Sequence, residues 1–123
     1  VVKREIMEPA LAQIIARYAP KVAYVERVHA MPHEGVTSSF RFGASYGLVR
    51  GVLAGLGVRT HLIGPVTWRK AAGLVAGQPK DASRLTAARV FPTQADLFMR
   101  KKDHGRADAA LIARAGMFLL TDT

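Results

Sequence analysis

Cysteine is absent, which excludes a disulfide scaffold and any thiolate-bound zinc site. Long apolar runs are missing too: none reaches the ~18 residues needed to cross a bilayer, so no membrane partner is expected. Acidic residues are scarce. Nine Asp and Glu stand against eighteen Lys and Arg, for a formal net charge of +9 and a pI near 10.7. A small domain this basic attracts polyanions, and nucleic acid is the expected partner. The opening Val1-Val2-Lys3-Arg4-Glu5 lacks an initiator Met and a signal-peptide pattern, so the chain reads as starting partway through a longer sequence. With no cysteine and no leader, a cytoplasmic location is expected.

What is present suffices for one domain over residues 1–123. Half of the residues are hydrophobic and 22% are charged, ordinary proportions for a folded chain. Residues 8–18 read as a helix, with Pro9 in its first turn and Leu11, Ile14, Ile15 and Tyr18 at helical spacing. Residues 21–28 (KVAYVERV) are β-branched and aromatic on both faces, the pattern of a buried strand. After the loop His29–Gly35, one of Thr37, Ser38 and Ser39 is placed to cap a long helix reaching about Gly57. A second strand over residues 58–63 ends at Gly64-Pro65. Helices are expected near 66–72, over 80–90 (Leu85, Ala88 and Val90 apolar) and over 106–120, with a polar, basic stretch at 93–105. The order is an alternating α/β arrangement, a mixed sheet flanked by helices. Two strands make a poor sheet, so this architecture needs more of them than the sequence supplies.

Two acids stand where burial is costly. Glu26 shares a face with Val22, Tyr24 and Val28, and a carboxylate in such a strand calls for compensation, for which a bound metal ion is one source. Asp108 lies one turn ahead of the apolar stripe Leu111, Ile112, Ala115 and Leu119, so it should face the sheet. His104 precedes it by one turn and Asp103 is adjacent. Carboxylates and a histidine gathered this way are the material of a Mg²⁺ or Mn²⁺ nuclease site, in which two cations about 3.5–4 Å apart stabilise phosphodiester cleavage. His33 and His61 have no second ligand at metal spacing.

The cations cluster around these acids. Arg69, Lys70, Lys80 and Arg84 flank the loop after the second strand, and Arg100, Lys101, Lys102 and Arg106 surround His104 and Asp108, where a phosphate backbone would lie. Along the long helix, Gly43, Gly47, Gly51 and Gly55 recur every four residues, beside Arg41 and Arg50. Each helical glycine costs about 1 kcal/mol relative to Ala, so the ladder implies close approach of another backbone: the sheet, another helix or a second subunit.

Several segments together resemble the phage and prophage RuvC-like Holliday-junction resolvases. They are Tyr24-Val25-Glu26-Arg27-Val28-His29-Ala30-Met31-Pro32, Gly35-Val36-Thr37-Ser38-Ser39-Phe40 and Phe42-Gly43. The similarity continues in Pro65-Val66-Thr67-Trp68-Arg69-Lys70, Lys80-Asp81-Ala82-Ser83-Arg84, Phe91-Pro92 and Lys102-Asp103-His104-Gly105-Arg106-Ala107-Asp108-Ala109. The resemblance implies an RNase H-like fold and a homodimeric, Mg²⁺-dependent endonuclease acting on branched DNA. It places catalytic, metal-binding acids at Glu26 and Asp108, a phosphate contact at Lys80 and dimer contacts on the glycine helix. A further family acid or histidine corresponds to Gly105, so Asp103 or His104 takes that role. The family's junction-wedging aromatic corresponds to His29, leaving that task to His29 or Phe40, with Arg41 on the same DNA-facing segment. The resemblance also implies a first strand bearing an Asp, and nothing before Glu5 supplies it. Missing first strands, and weak or absent cleavage by these 123 residues alone, are therefore expected. The alternatives are a catalytically incomplete RNase H-like module that only binds nucleic acid, and an enzyme acting on RNA or RNA–DNA hybrids.

Overall fold

A computed structural model describes residues 6–120. Helix α1 (Glu8–Tyr18) is followed by strand β1 (Val22–Glu26), helix α2 (Val36–Gly55) and strand β2 (Arg59–Ile63). Helices α3 (Pro65–Ala71), α4 (Ala82–Val90) and α5 (His104–Leu119) complete the chain. β1 and β2 pair as a parallel two-stranded sheet. Parallel neighbours need a crossover of a dozen or more residues, and α2 supplies it. Val1–Glu5, the segment bearing on a preceding strand, lies outside the described residues.

The chain divides into two compact units. The first holds residues up to Ala23 with Val28–His61, and there α1 packs on α2. α1 buries none of its residues: Ile14 and Tyr18, expected on its inner face, are exposed. α2 buries only Leu53, because its apolar residues are spread around the helix. Val36, Phe40, Phe42 and Leu56 are exposed. None of Thr37, Ser38 and Ser39 caps it. Gly35 is the N-cap, and the Ser39 hydroxyl donates to Glu34 Oε1 at 2.8 Å. Gly57, at φ +74, lets α2 turn into β2, with Val58 N donating to Leu53 O at 2.9 Å.

The second unit holds Tyr24–Arg27 and the chain from Leu62 onward. Its core joins Ile63, Trp68, Ala87, Phe98, Ala107, Leu111, Ile112 and Ala115. The expected stripe on α5 is there except Leu119, which lies at the exposed end of the helix. The apolar Leu85 does not mark the inner face of α4. Ser83, Thr86 and Ala87 are buried, while Leu85 is 65% exposed. α4 begins at Ala82 rather than Lys80 because Pro79 O accepts Ala82 N, and Asp81 becomes the N-cap. The stretch 93–105 is also more ordered than expected. It forms 3₁₀ turns over Pro92–Phe98 and Lys101–Asp103, and α5 starts at His104.

Candidate functional site

Strand pairing sets the first acid. Arg27 N donates to Ile63 O at 2.7 Å, which brings Glu26 at the end of β1 alongside the end of β2. Gly64-Pro65 then starts α3, Pro fitting the first helical turn where no N–H is needed. One turn later the Trp68 indole, 1% exposed, donates Nε1–H to Glu26 Oε2 at 2.5 Å. Buried indole N–H groups require an acceptor, and here the acceptor is the candidate acid.

The second acid is set by α4 and α5, which pack together. Buried Ser83 donates its hydroxyl to Asp108 Oδ1 at 2.8 Å. Because α5 extends back to His104, the expected facing pair forms: His104 Nδ1 lies 3.6 Å from Asp108 Oδ2, one turn apart. The Asp108 side chain is 25% exposed and opens onto a cavity of about 810 Å³. Trp68, Ser83, His104 and Asp108 line it, with Arg69, Lys70, Lys80, Arg84 and Lys101 among its walls. The Arg69 guanidinium lies over the Trp68 ring, 5.4 Å from its centroid.

Two expected site residues are occupied by local structure. Asp103, buried, accepts from Arg100 N at 2.9 Å and from the Arg100 guanidinium at 2.9–3.2 Å, closing the turn that launches α5. The Arg100 hydrogen bond holds its carboxyl below the usual carboxylate range, although burial works the other way. Arg84 donates to Asp81 at 2.6 Å and to the carbonyls of Met99 and Phe98, so its guanidinium clamps α4 to the chain before Arg100. The same contact holds the Asp81 carboxyl below its ordinary value. Arg106 is half-exposed and donates to Leu97 O, and Lys102 is exposed. His29, Phe40 and Arg41 are exposed in the other unit. Gly43, Gly47, Gly51 and Gly55 form an open ladder: a Cβ on any of them would meet nothing within 4 Å.

The expected metal set of Glu26, Asp108 and Asp103 is not gathered. Among the described residues, no group of three or more His, Asp or Glu could hold a metal ion. Asp103 is committed to Arg100, while Glu26 and Asp108 each keep one oxygen on a buried donor. Oxygen donors of this kind suit a hard cation, but two acids do not complete its shell. The described residues alone therefore do not fit a resident metal, and no catalytic step is routed through one.

Trp68 and Ser83 went unassigned in the sequence. Both fall inside segments that carry the resemblance, yet only the fold shows that each faces a candidate acid.

The arrangement of strand, crossover helix and terminal helix matches solved structures over nearly its whole length. Thermus thermophilus RuvC in complex with a Holliday junction substrate superposes with a TM-score of 0.68 at 20% identity, over 92% of this chain and 65% of that one. A second T. thermophilus RuvC structure gives 0.67 at 16% identity, over 93% and 67%. The fold is that of RuvC. In sequence, the chain is 34% identical over 115 residues to the chloroplastic Holliday junction resolvase MOC1 of Chlamydomonas reinhardtii. That stretch is 89% of this chain and 13% of the relative, so the chain spans only a small part of the protein it matches. No family model matches. Within this fold Glu26 ends a sheet strand and Asp108 lies one turn inside the last helix. Among the described residues, no helix is long and apolar enough to cross a membrane.

Proposed function

We propose that this chain is the junction-resolving nuclease portion of a RuvC-like, RNase H-like protein, which hydrolyses phosphodiester bonds in four-way DNA junctions. One observation carries the reading. A single basic-walled cavity holds Asp108 with its partners Ser83 and His104, and also the indole that holds Glu26. Lys70, Lys80 and Lys101 on the walls are suited to phosphate, which supplies most of the affinity for nucleic acid. Glu26 and Asp108 are the acids of the reaction. His104 rather than Asp103 is the third site residue, because Arg100 already occupies Asp103.

Activity on this proposal requires Mg²⁺ or Mn²⁺, with the remaining donors supplied from outside the described residues. An acid on a preceding strand is the expected source. The exposed glycine face of α2 is the dimer contact, since nothing obstructs a second backbone there. His29, Phe40 and Arg41 serve the junction itself. A cytoplasmic, phage or bacterial setting belongs to the same proposal.

A second reading has its own support. The lack of a three-donor group among the described residues fits a module that binds branched nucleic acid without cutting it.

The test compares four-way junction, duplex and RNA–DNA hybrid at matched salt, with Mg²⁺ and with EDTA. It uses the chain alone and the chain extended upstream of Val1. Junction cutting that needs Mg²⁺ and disappears in Glu26→Gln or Asp108→Asn, with binding retained, supports the enzyme. Junction-selective binding without cutting in either form supports the module. Preference for the hybrid overturns the branched-DNA assignment.

A further inference from the structure

We infer that Trp68 and Ser83 are positioning residues: two buried donors, on different helices, that each fix the orientation of one candidate acid. The inference rests on the nuclease reading and deepens it, since neither side chain has been given a role in that chemistry.

A glutamate at a strand end has three freely rotating side-chain bonds, and a loosely held carboxylate samples several orientations. Trp68 removes that freedom. Its ring is locked in the core by Ile63, Ala107, Leu111 and their neighbours, and it has one N–H to give. That N–H goes to Glu26 Oε2 at 2.5 Å. Ser83 does the same for Asp108 from the buried face of α4, donating to Oδ1 at 2.8 Å. Both donors bond to one oxygen of the acid and leave the other directed elsewhere. For Asp108 the other oxygen is the one beside His104.

Packing alone does not account for the chemistry at either position. A serine on the inner face of α4, among Thr86, Ala87 and the α5 core, buries a hydroxyl where alanine would pack at no polar cost. A tryptophan in the core could have met a backbone carbonyl; it meets a carboxyl oxygen instead.

The chain contains one tryptophan, so its ¹H–¹⁵N spectrum contains one indole peak, which reports directly on Glu26. Metal- and DNA-free spectra of wild type, Glu26→Gln and Glu26→Ala make the first arm. The indole peak shifts in both variants and its hydrogen exchange quickens in Glu26→Ala. An unmoved peak overturns the inference for Trp68.

The second arm uses the chain extended upstream of Val1 and measures single-turnover junction cleavage and junction Kd for wild type, Trp68→Phe, Ser83→Ala and Ser83→Thr. Losing a donor behind a reacting group lowers the rate about 10- to 100-fold. Trp68→Phe and Ser83→Ala fall by that much with Kd within about two-fold of wild type, and Ser83→Thr, which restores a hydroxyl, recovers most of the rate. Equal rates in Ser83→Ala and wild type, or equal losses in the Ala and Thr variants, overturn the inference for Ser83. A wild-type protein that neither selects nor cuts the junction defeats the nuclease reading instead. The spectra still decide whether Trp68 holds Glu26.

Discussion

Replacing Gly116 with alanine tests the packing between β1 and α5 that the candidate site depends on. A Cβ on Gly116 would sit 2.6 Å from Tyr24 Cε1 and closer still to Cδ1 and Cγ, against an optimum of about 3.5–4.0 Å between carbons. These ring atoms are near the ring's attachment to a mid-strand residue, so relief means turning the whole ring or shifting the strand. Overpacking of this kind costs about 1–3 kcal/mol. Removing a glycine from a helix interior returns about 1 kcal/mol. Overpacking wins, and Gly116→Ala is expected to destabilise by up to about 2 kcal/mol. Gly51→Ala is the control. Within its own chain nothing lies within 4 Å of its added Cβ, so at concentrations where the protein is monomeric only the propensity gain acts and the variant is stabilised by up to about 1 kcal/mol. Urea unfolding followed by circular dichroism measures both, with m unchanged. Gly116→Ala stabilising as much as Gly51→Ala would refute the argument. Tyr24 lies two residues before Glu26, so the same shift of β1 also lowers junction cleavage if Glu26 acts as proposed.

Other outcomes follow from the charges. The depressed Asp103 carboxyl stabilises the fold at pH above its ordinary value near 4, and that contribution is lost as pH falls through its lower folded value. Arg100→Ala should therefore raise the midpoint pH of acid unfolding, and an unchanged midpoint would show that the turn does not contribute. Lys80→Ala and Lys101→Ala should each weaken junction, duplex and single-strand binding alike. Each should also reduce the slope of log Kd against log salt by about 0.9, the value for one phosphate contact; an unaltered slope removes that lysine from the interface. Gly51→Ala should weaken any dimer while leaving the monomer folded, which sedimentation across protein concentrations would detect.

Elements were legible where one face of a segment is buried. The 3.6 period of Leu111, Ile112 and Ala115 placed α5 and turned Asp108 inward, and the β-branched run around Tyr24 placed β1, although the strand expected to be buried is only half-buried along its length. Where burial is slight, the pattern misled. Ile14 and Tyr18 have helical spacing on α1, yet both stay exposed. On α4, Leu85 is apolar yet exposed, whereas the face that meets α5 and the 92–98 turn uses Ser83 and Ala87. Ser39 resembled a cap, but its hydroxyl is drawn to Glu34 instead. The two candidate acids stood out because a carboxylate among apolar neighbours is rare. Their donors were not, since the contact between Trp68 and Glu26 spans 42 residues and that between Ser83 and Asp108 spans 25.

The same long-range view separates the two kinds of cation, which composition adds together. Arg84 and Arg100 each pair with an acid three residues away and also bond the backbone or close a turn, work suited to a planar, multi-donor guanidinium. Lys70, Lys80 and Lys101 line the cavity without an ion pair to any acid among the described residues. An ammonium on a flexible stem suits a phosphate whose position varies along a branched substrate. The excess of positive charge is thus not one uniform coat: Arg84 and Arg100 brace the elements that carry Ser83 and Asp108, while Lys70, Lys80 and Lys101 line the cavity.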